Sequence, residues 1–214
     1  MTAFAAIAAR ELRRAWTGGG LWLPLVFYLS VATLYPFVVG PDRALLARTG
    51  GGVLWIAALL AALLPVERLV RPDMEAGVLD QLCLAGLADE SVAAAKLVGH
   101  WLGFGPPLLA ATLIAGAMLG LEGAALGRLI LALAVAGPGL AALSLLVAAL
   151  TAGLGSAGAV AGMLMVPLAV PLLIFGAGAL GSDPSALPLL AAASLFLTAL
   201  TPFAAGAAIR AGRE

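Results

Sequence analysis

The amino-acid sequence predicts an all-α integral membrane protein with six transmembrane helices in a single domain, residues 1–214. Of its residues, 63% are hydrophobic and only 10% are charged, and the mean hydropathy is +1.13. Soluble domains lie near ~45–50% apolar and ~25% charged, so a water-soluble fold of this length has too little interior for so much apolar surface. The chain also contains charge-free segments close to the ~20 residues that a helix needs to cross ~30 Å of hydrocarbon.

A helix is predicted over residues 2–16, within an N-terminal interfacial segment, residues 1–20. Apolar side chains gather on one side at helical spacing, and Arg10, Arg13 and Arg14 lie on the other. Glu11 falls on the apolar side and is the exception to this pattern. An amphipathic helix of this kind is expected to lie along the inner leaflet of the membrane. The alternative is a frayed tail whose arginines only help to set the topology.

Six charge-free segments are predicted to cross the membrane. They lie at about 21–39, 49–66, 101–121, 129–150, 159–180 and 185–209. The fourth and fifth come from one uncharged run, residues 129–182, which as a single helix would be about 80 Å long at ~1.5 Å per residue. That length exceeds a single crossing, and the glycine-rich stretch 151–158 is predicted to be where the chain turns back.

The distribution of basic residues predicts that both termini lie in the cytoplasm. With this orientation, eight Lys and Arg residues fall in inner segments and three fall in outer loops. Such an excess on the inner side satisfies the positive-inside rule. An even number of spans agrees with the same orientation.

The predicted spans lack the groups that several classes of membrane protein require. They contain no Asp, Glu, Lys or Arg and no His near the middle, whereas ion-coupled transporters need ionisable groups at that depth. The chain has no G-x-x-x-x-G-K-[S/T] phosphate loop. One cysteine and one histidine cannot complete a zinc site, and a net charge of zero gives no basic field for nucleic acid. We therefore expect no catalytic residues, no metal site and no enzyme activity. If the protein moves a substrate uphill, the energy must come from another subunit.

A long polar segment, residues 67–100, separates the second and third predicted spans and holds six of the eleven acidic residues. Pro72 begins a short helix with acidic residues in its first turn, which favour the positive end of the helix dipole, and Gly86 ends it. A second helix, residues 89–99, leads into the third span. An amphipathic helix at the cytoplasmic mouth of the spans can dock in a groove of a soluble partner and transmit its motion. The alternative is a surface helix that only covers the membrane face.

Several stretches of the sequence resemble the haem exporter protein B family. They are the end of the second span with the following turn, the polar loop, the entry into the third span and the C-terminal segment 202–210. The loop resembles the family pattern Phe-x-x-Asp-x-x-Asp-Gly-Ser-Leu-x-Gln. Its matching positions are Asp73, Gly77, Leu79 and Gln81, with acidic residues at Glu75 and Asp80. It departs from the pattern at Val70, Ala76 and Val78.

The resemblance implies an ABC-2-type permease architecture, with an N-terminal interfacial helix and a cytoplasmic coupling helix between spans two and three. That family supplies the permease of the cytochrome c maturation ABC transporter in the bacterial inner membrane. The expected partners are the lipid bilayer, two copies of a cytoplasmic ATPase that binds the ATP, a second copy of this chain, a haem-handling membrane protein and a periplasmic haem chaperone. No firmly bound cofactor is expected, and haem is the expected transported or handled ligand. Two alternatives stay open: an ABC-2-type exporter of a lipid, drug or polysaccharide, and a membrane scaffold without transport.

The loop pattern and the resemblance together give the candidate site residues. Those assigned to ATPase coupling are Asp73, Glu75, Gly77, Leu79, Asp80, Gln81 and Leu82. His100 and Trp101, at the inner boundary of the third span, are candidate haem contacts, although a histidine at this depth is more often an interfacial hydrogen-bonder. The glycine pair Gly99/Gly103 is expected to bring helices of the chain close together, with a dimer contact as the alternative.

Overall fold

The computed structural model describes residues 2–154, 157–181 and 183–213, and every regular element within them is a helix. The ten described helices are α1 (Ala3–Thr17), α2 (Trp22–Val39), α3 (Arg43–Leu63), α4 (Val66–Leu69), α5 (Arg71–Glu75), α6 (Val78–Leu84), α7 (Asp89–Met118), α8 (Gly123–Thr151), α9 (Ala157–Leu180) and α10 (Ala186–Ala211). The prediction of an all-α protein is confirmed.

Six of the described helices, α2, α3, α7, α8, α9 and α10, are long and apolar enough to cross a membrane. Each predicted segment falls on one of them, so the predicted number of spans is confirmed. α3 starts ahead of its predicted segment because the Asp42 side chain accepts hydrogen bonds from the backbone N–H groups of Ala44 and Leu45 (2.9 and 3.1 Å). Such a cap stabilises a helix N-terminus, so the helix extends beyond the charge-free span.

The polar segment after α3 begins at a bend. α3 ends at Leu63, and Pro65 follows, whose ring and missing N–H disfavour continuation of the helix. The chain resumes in the short helices α4, α5 and α6. The second helix predicted in this segment, residues 89–99, is not separate from the third span, because α7 runs without a break from Asp89 to Met118.

α8 is the central helix of the bundle. It packs against α3, α4, α7, α9 and α10, and most of its residues are buried. Small residues explain this position, since they let neighbouring backbones approach closely. A Cβ on Gly139 would lie 2.8 Å from the Cα of Ser194 in α10, and the Gly139 N–H donates to the Ser194 hydroxyl (2.9 Å). Towards α3, the Ser144 hydroxyl donates to the carbonyl of Ala62 (2.8 Å).

The turn between α8 and α9 falls where glycine is predicted to interrupt the long apolar run. α8 ends at Thr151 and α9 begins at Ala157, which agrees with two separate crossings. Residues 155 and 156 of the predicted stretch 151–158 lie outside the described residues.

The polar elements gather at one end of the bundle, which we call the loop end because it carries residues 64–88. α1 packs against α7, and Arg210 in the last turn of α10 and Arg213 just beyond it form ion pairs with the first turn of α7. The N-terminal helix and the end of α10 therefore both lie at the loop end. The candidate coupling residues and His100 lie there as well.

Candidate functional site

The N-terminal helix α1 lies in a groove on α7 at the loop end. Gly99 and Gly103 make the groove, because their missing side chains let the α1 backbone approach. A Cβ on Gly99 would lie 2.5 Å from the carbonyl oxygen of Ala8, and one on Gly103 would lie 2.9 Å from the Cβ of Ala15. The expected internal packing role of this glycine pair is confirmed. α1 is thus fixed to the bundle along one face, while its other face stays exposed.

Five charged side chains join α1, α5 and α7 at the loop end, and we call this cluster the Asp73 hub. Its members are Arg10, Glu11 and Arg14 on α1, Asp73 on α5 and Lys96 on α7. One Asp73 carboxylate oxygen accepts hydrogen bonds from Lys96 and Arg10, both at 2.5 Å. The other oxygen accepts one from Arg14 at 2.9 Å. Lys96 also donates to Glu11 at 3.0 Å, so α7 is tied to both other helices.

The centre of the Asp73 hub is shielded from solvent. Lys96 is 1% exposed, and Asp73 and Glu11 are buried as well. Burying a charge costs several kcal/mol unless opposite charges and hydrogen bonds replace its hydration, and each of these three groups has both. The hub contains three cations and two carboxylates, so one positive charge is in excess.

The pKa of Asp73 shows that the hub favours the ionised carboxylate. Burial by itself would raise this pKa, because it disfavours the charged form. The charge and hydrogen bond of Lys96, followed by the charges of two arginines of α1, outweigh burial and hold the pKa of Asp73 below its ordinary value. Asp73 is therefore ionised at neutral pH and fixes α5 to α1 and α7.

The structure corrects the prediction of one continuous helix after Pro72, because the chain breaks at Gly77 into α5 and α6. Gly77 has φ of +67°, a left-handed conformation that costs roughly 1–2 kcal/mol for a residue with a Cβ. The predicted end at Gly86 is confirmed. Gly86 also has a positive φ, +81°, and the Leu87 N–H donates to the carbonyl of Leu82 (3.1 Å), as in a Schellman motif.

A second ionic contact fastens α6 and α7 to the end of α10. Arg213 donates to the Asp89 carboxylate (2.5 Å) and to the backbone carbonyl of Leu79 (3.3 Å). Its guanidinium also lies 3.8 Å from the Asp80 carboxylate. Asp89 is buried, so this contact is partly shielded from solvent. The loop is therefore held on two sides, with α5 tied to the Asp73 hub and α6 tied to α10.

The seven candidate coupling residues divide into two sets around Gly77. The inner set, which is buried or partly buried against the core, is Asp73, Leu79 and Leu82. The outer set, which is exposed, is Glu75, Asp80 and Gln81. We call the exposed surface that includes them the outer loop face, formed by Glu75, Ala76, Asp80, Gln81, Cys83 and Leu84. The loop thus presents one side to the bundle and the other to its surroundings.

The structure buries the His100 ring among the helices and so corrects the expectation that it is an interfacial hydrogen-bonder. Its ring is buried and stacks on that of Phe104, with 5.9 Å between the ring centroids. Within the described part of the chain, the Nε2 atom of His100 has no hydrogen-bond partner. His100 lines a partly open cavity of about 340 Å³ whose walls come from α1, α2, α4, α5 and α7. We call it the His100 cavity.

Trp101, the neighbour of His100 in sequence, lies on a different face of α7. It does not line the His100 cavity, and a Cβ on Gly137 of α8 would lie 3.4 Å from its Nε1. Successive helical residues are about 100° apart, because a turn holds ~3.6 residues, so adjacent side chains diverge. The two candidate haem contacts are therefore not brought into one pocket. The described residues include no group of three or more His, Cys, Asp and Glu that could hold a metal ion.

Nearly the whole chain, residues 2–212, matches the family model described as CcmB protein. This chain belongs to the CcmB family. Its similarity to proteins named heme exporter protein B is extensive, with 44% identity to that of Paracoccus denitrificans (strain Pd 1222) over 96% of this chain and 97% of the relative. It is 48% identical to that of Escherichia coli (strain K12) over 87% of this chain and 88% of the relative. The protein of Bradyrhizobium diazoefficiens is 40% identical, with both chains covered completely.

In this CcmB family chain, the loop pattern identifies Asp73 but not the other four charged residues of the Asp73 hub. Glu11 is only an exception on the apolar side of α1, and Lys96 is only a loop cation. A signal is nevertheless present, because Glu11 falls on the apolar side of α1, Lys96 is a single charge among apolar residues, and their signs are opposite. Such charges are rarely buried unless they are paired. No comparable signal links Arg213 to Asp89, which lie 124 residues apart.

Proposed function

We propose that this chain is the permease subunit of an ATP-binding cassette transporter that serves haem export in cytochrome c biogenesis. The support is near full-length similarity to proteins named heme exporter protein B, together with the six described helices that are able to cross a membrane. Two copies of a cytoplasmic ATPase subunit bind and hydrolyse the ATP. Two copies of this chain form the membrane part and do no chemistry themselves.

The membrane in this proposal is the bacterial inner membrane, with the loop end in the cytoplasm. Basic residues are concentrated at the loop end, on α1, on the loop helices and in the last turns of α10. The positive-inside rule favours the cytoplasm for such an end, and the ATPase is found on that side. The haem-handling membrane protein would lie beside the spans, and the periplasmic haem chaperone would meet the opposite end.

The outer loop face carries this proposal. Leu84 is 89% exposed, and the exposed residues Asp80 and Gln81 lie four and three positions before it, on the same side of α6. Leu79, in contrast, is buried against the bundle. A large apolar side chain framed by polar ones, on a short helix beyond the spans, suits a groove in a soluble protein.

The ionic contacts behind the outer loop face provide a path for motion. The Asp73 hub connects α5 to α1 and α7, and Arg213 connects α6 to α10 and to the start of α7. Buried charged contacts of this kind are costly to separate. A displacement of the loop by the ATPase would therefore be passed on to the spans, and Gly77 would act as the joint between the two halves of the loop.

Co-purification of the ATPase subunit tests the proposal. Replacing Gln81→Ala together with Leu84→Ala is expected to reduce the retained ATPase roughly tenfold or more, since truncating a hot-spot residue of an interface costs ~2 kcal/mol of binding or more. The matched control is Thr33→Ala with Leu34→Ala, an exposed polar residue and an exposed leucine on α2. Unchanged ATPase retention and unchanged cytochrome c yield in the Gln81/Leu84 variant would overturn the proposal.

We propose His100, rather than a His100–Trp101 pair, as the residue to test for haem contact. His100 lines a cavity and has an Nε2 atom without a partner in the described residues, whereas Trp101 borders α8. A neutral imidazole nitrogen is a common axial ligand of haem iron. The test is the haem absorbance of the purified protein. If the His100→Ala variant has the same haem absorbance as the wild type, this contact is excluded.

A further inference from the structure

The His100 cavity is lined by two arginines from different helices. Arg14 comes from α1 and Arg68 from α4. Arg14 is hydrogen-bonded to Asp73 in the hub (2.9 Å). Arg68 forms no ion pair with any of the described residues. The cavity therefore has one arginine whose charge is available to a ligand.

The charge around the His100 cavity is positive. The Asp73 hub beside it has one cation in excess, and Arg68 adds a second. The carboxylate of Glu11 also borders the cavity, but Lys96 and Arg10 neutralise it at 3.0 and 2.9 Å. Glu67 precedes Arg68 in sequence and is exposed, but it does not line the cavity. The balance of charge favours an anion.

The start of α2 lies beside the same cavity and carries backbone N–H groups that are unpaired within the described part of the chain. Leu21 precedes the helix without forming a side-chain cap, and both Leu21 and Pro24 line the His100 cavity. Among the described residues, the backbone N–H groups of Trp22 and Leu23 have no acceptor. An uncapped helix N-terminus attracts anions through these groups and through the helix dipole. The unpaired Nε2 of His100 is a further polar group beside the cavity, independent of the helix.

Most of the remaining wall is apolar, with Leu21, Pro24, Leu69 and Phe104 among the lining residues. Leu21 and Pro24 lie at the start of α2, and Phe104 lies near the start of the apolar part of α7. The cavity therefore sits at the boundary between hydrocarbon and water. A ligand that fits has an acidic head and an apolar body. We propose that the His100 cavity binds the phosphate group of an anionic phospholipid from the leaflet at the loop end, with Arg68 as its principal cationic contact.

A lipid and a soluble phosphate ester share this head-group chemistry, and the apolar wall favours the lipid. Haem and the lipid would compete for the His100 cavity, but the haem contact rests on His100 and the lipid proposal on Arg68, so different variants test the two. The lipid proposal also does not depend on the ATPase, because the lipid is bound by this chain alone. A failure of the ATPase co-purification would leave it standing, and a failure of lipid binding would leave the transport proposal standing.

Native mass spectrometry of the full chain in mild detergent tests the proposal. The probe is a short-chain phosphatidylglycerol, compared with phosphatidylcholine of the same chain length and with glycerol phosphate. One phosphatidylglycerol per chain is expected to be retained, and Arg68→Gln is expected to weaken its retention about tenfold, because it removes a charge-assisted hydrogen bond to the phosphate. Arg68 has no ion pair with the described residues, so the loss should not come from unfolding.

The matched control is Arg13→Gln, which removes an exposed arginine of α1 outside the His100 cavity and is expected to retain the lipid. Arg68→Lys keeps the charge and is expected to retain most of it. Equal retention of phosphatidylcholine would overturn the proposal, and so would displacement of the lipid by glycerol phosphate at the same concentration. Unaltered phosphatidylglycerol binding by the Arg68→Gln variant would overturn it as well.

Discussion

The ammonium group of Lys96 lies 2.5 Å from the Asp73 carboxylate, which belongs to a different helix 23 residues earlier. Lys96 is on α7, at the entrance to a membrane-spanning helix, and Asp73 is on the first half of the loop. Both side chains are buried. Each charge is therefore tolerated because the other is present, and the position of α5 relative to α7 depends on the pair.

Removing the lysine should destabilise the protein strongly. Lys96→Met leaves Asp73 and Glu11 buried with one cation fewer, and breaking a buried ion pair in this way typically costs about 3 kcal/mol or more. We expect a clear decrease in the thermal unfolding midpoint of the detergent-solubilised protein. Combining Lys96→Met with Asp73→Asn should cost less than the sum of the two single changes, because the residues are in contact.

An exposed ion pair on the same loop is the control for this experiment. Arg71 and Glu75 form a pair at 2.7 Å, but both side chains are partly or largely exposed, and such pairs contribute little to stability. Arg71→Gln should leave the unfolding midpoint unchanged within error. If Lys96→Met and Arg71→Gln lowered the midpoint equally, burial of the Asp73 hub would not be what makes it stabilising.

Stability should also fall at acidic pH because of Asp73. Its pKa is lowered in the folded protein, so its contribution is fully present above the ordinary value near ~4 and is lost as pH falls through the lowered folded value. Unfolding midpoints measured from pH 6 down to the acid limit of the detergent system should show this loss below about pH 4. Asp73→Asn should be less stable at neutral pH and should show a shallower acid decrease. If the unfolding midpoint of the Asp73→Asn variant fell with pH as steeply as that of the wild type, other carboxylates would be responsible for the decrease.

Hydrophobic length and charge distribution were sufficient to predict the membrane helices. Residues 129–182 are too long for one crossing, and the observed α8 and α9 divide them as glycine predicts. These features are local, because a helix satisfies its own backbone hydrogen bonds in lipid and requires only a long enough apolar run. The bounds were less predictable, as α3 shows, since the Asp42 cap rather than hydropathy decides where that helix starts.

The organisation of the loop could be predicted only in part. No local sequence pattern predicts that Asp73 is buried and Gln81 is exposed, as the structure shows. What separates them is the break at Gly77, which rotates α6 relative to α5, and the cations of α1 and α7 that surround Asp73. These are contacts between distant parts of the chain, and a single sequence carries no record of such pairs beyond isolated opposite charges in apolar surroundings.

The left-handed conformation of Gly77 predicts a measurable cost of adding a side chain. Nothing lies within 4 Å of the position that a Cβ would occupy, so Gly77→Ala should cost about 1 kcal/mol through backbone strain alone, and Gly77→Asn should cost less because asparagine tolerates this conformation. The unfolding midpoint measures both. Gly52→Ala in α3 also has open space around its Cβ but no positive φ, and it should be neutral or stabilising. If Gly77→Ala and Gly52→Ala changed the unfolding midpoint equally, the left-handed break of the helix at Gly77 would be contradicted.

The contact between α1 and α7 predicts that Gly99 cannot accept even a methyl group. The Cβ of Gly99→Ala would lie 2.5 Å from the Ala8 carbonyl oxygen and 2.7 Å from the Cβ of Glu11, and neither atom belongs to a flexible side-chain end. α1 should therefore shift outward, and trypsin should cleave at its arginines several-fold faster, because a less packed segment opens more often. Release of an N-terminal tag from the detergent-solubilised protein measures this rate.

Gly127→Ala is the matched control for this displacement. Gly127 lies in α8, and nothing lies within 4 Å of the position that a Cβ would occupy. The Gly127→Ala variant therefore gains the same methyl group without a clash, and trypsin should cleave it at the wild-type rate. The Asp73 hub should loosen together with α1, since two of its cations, Arg10 and Arg14, belong to that helix. Gly99→Ala should consequently lower the unfolding midpoint as well as raise the cleavage rate. Faster cleavage without any loss of stability would mean that α1 can leave the groove while the hub re-forms, and the groove would then not be what positions the loop.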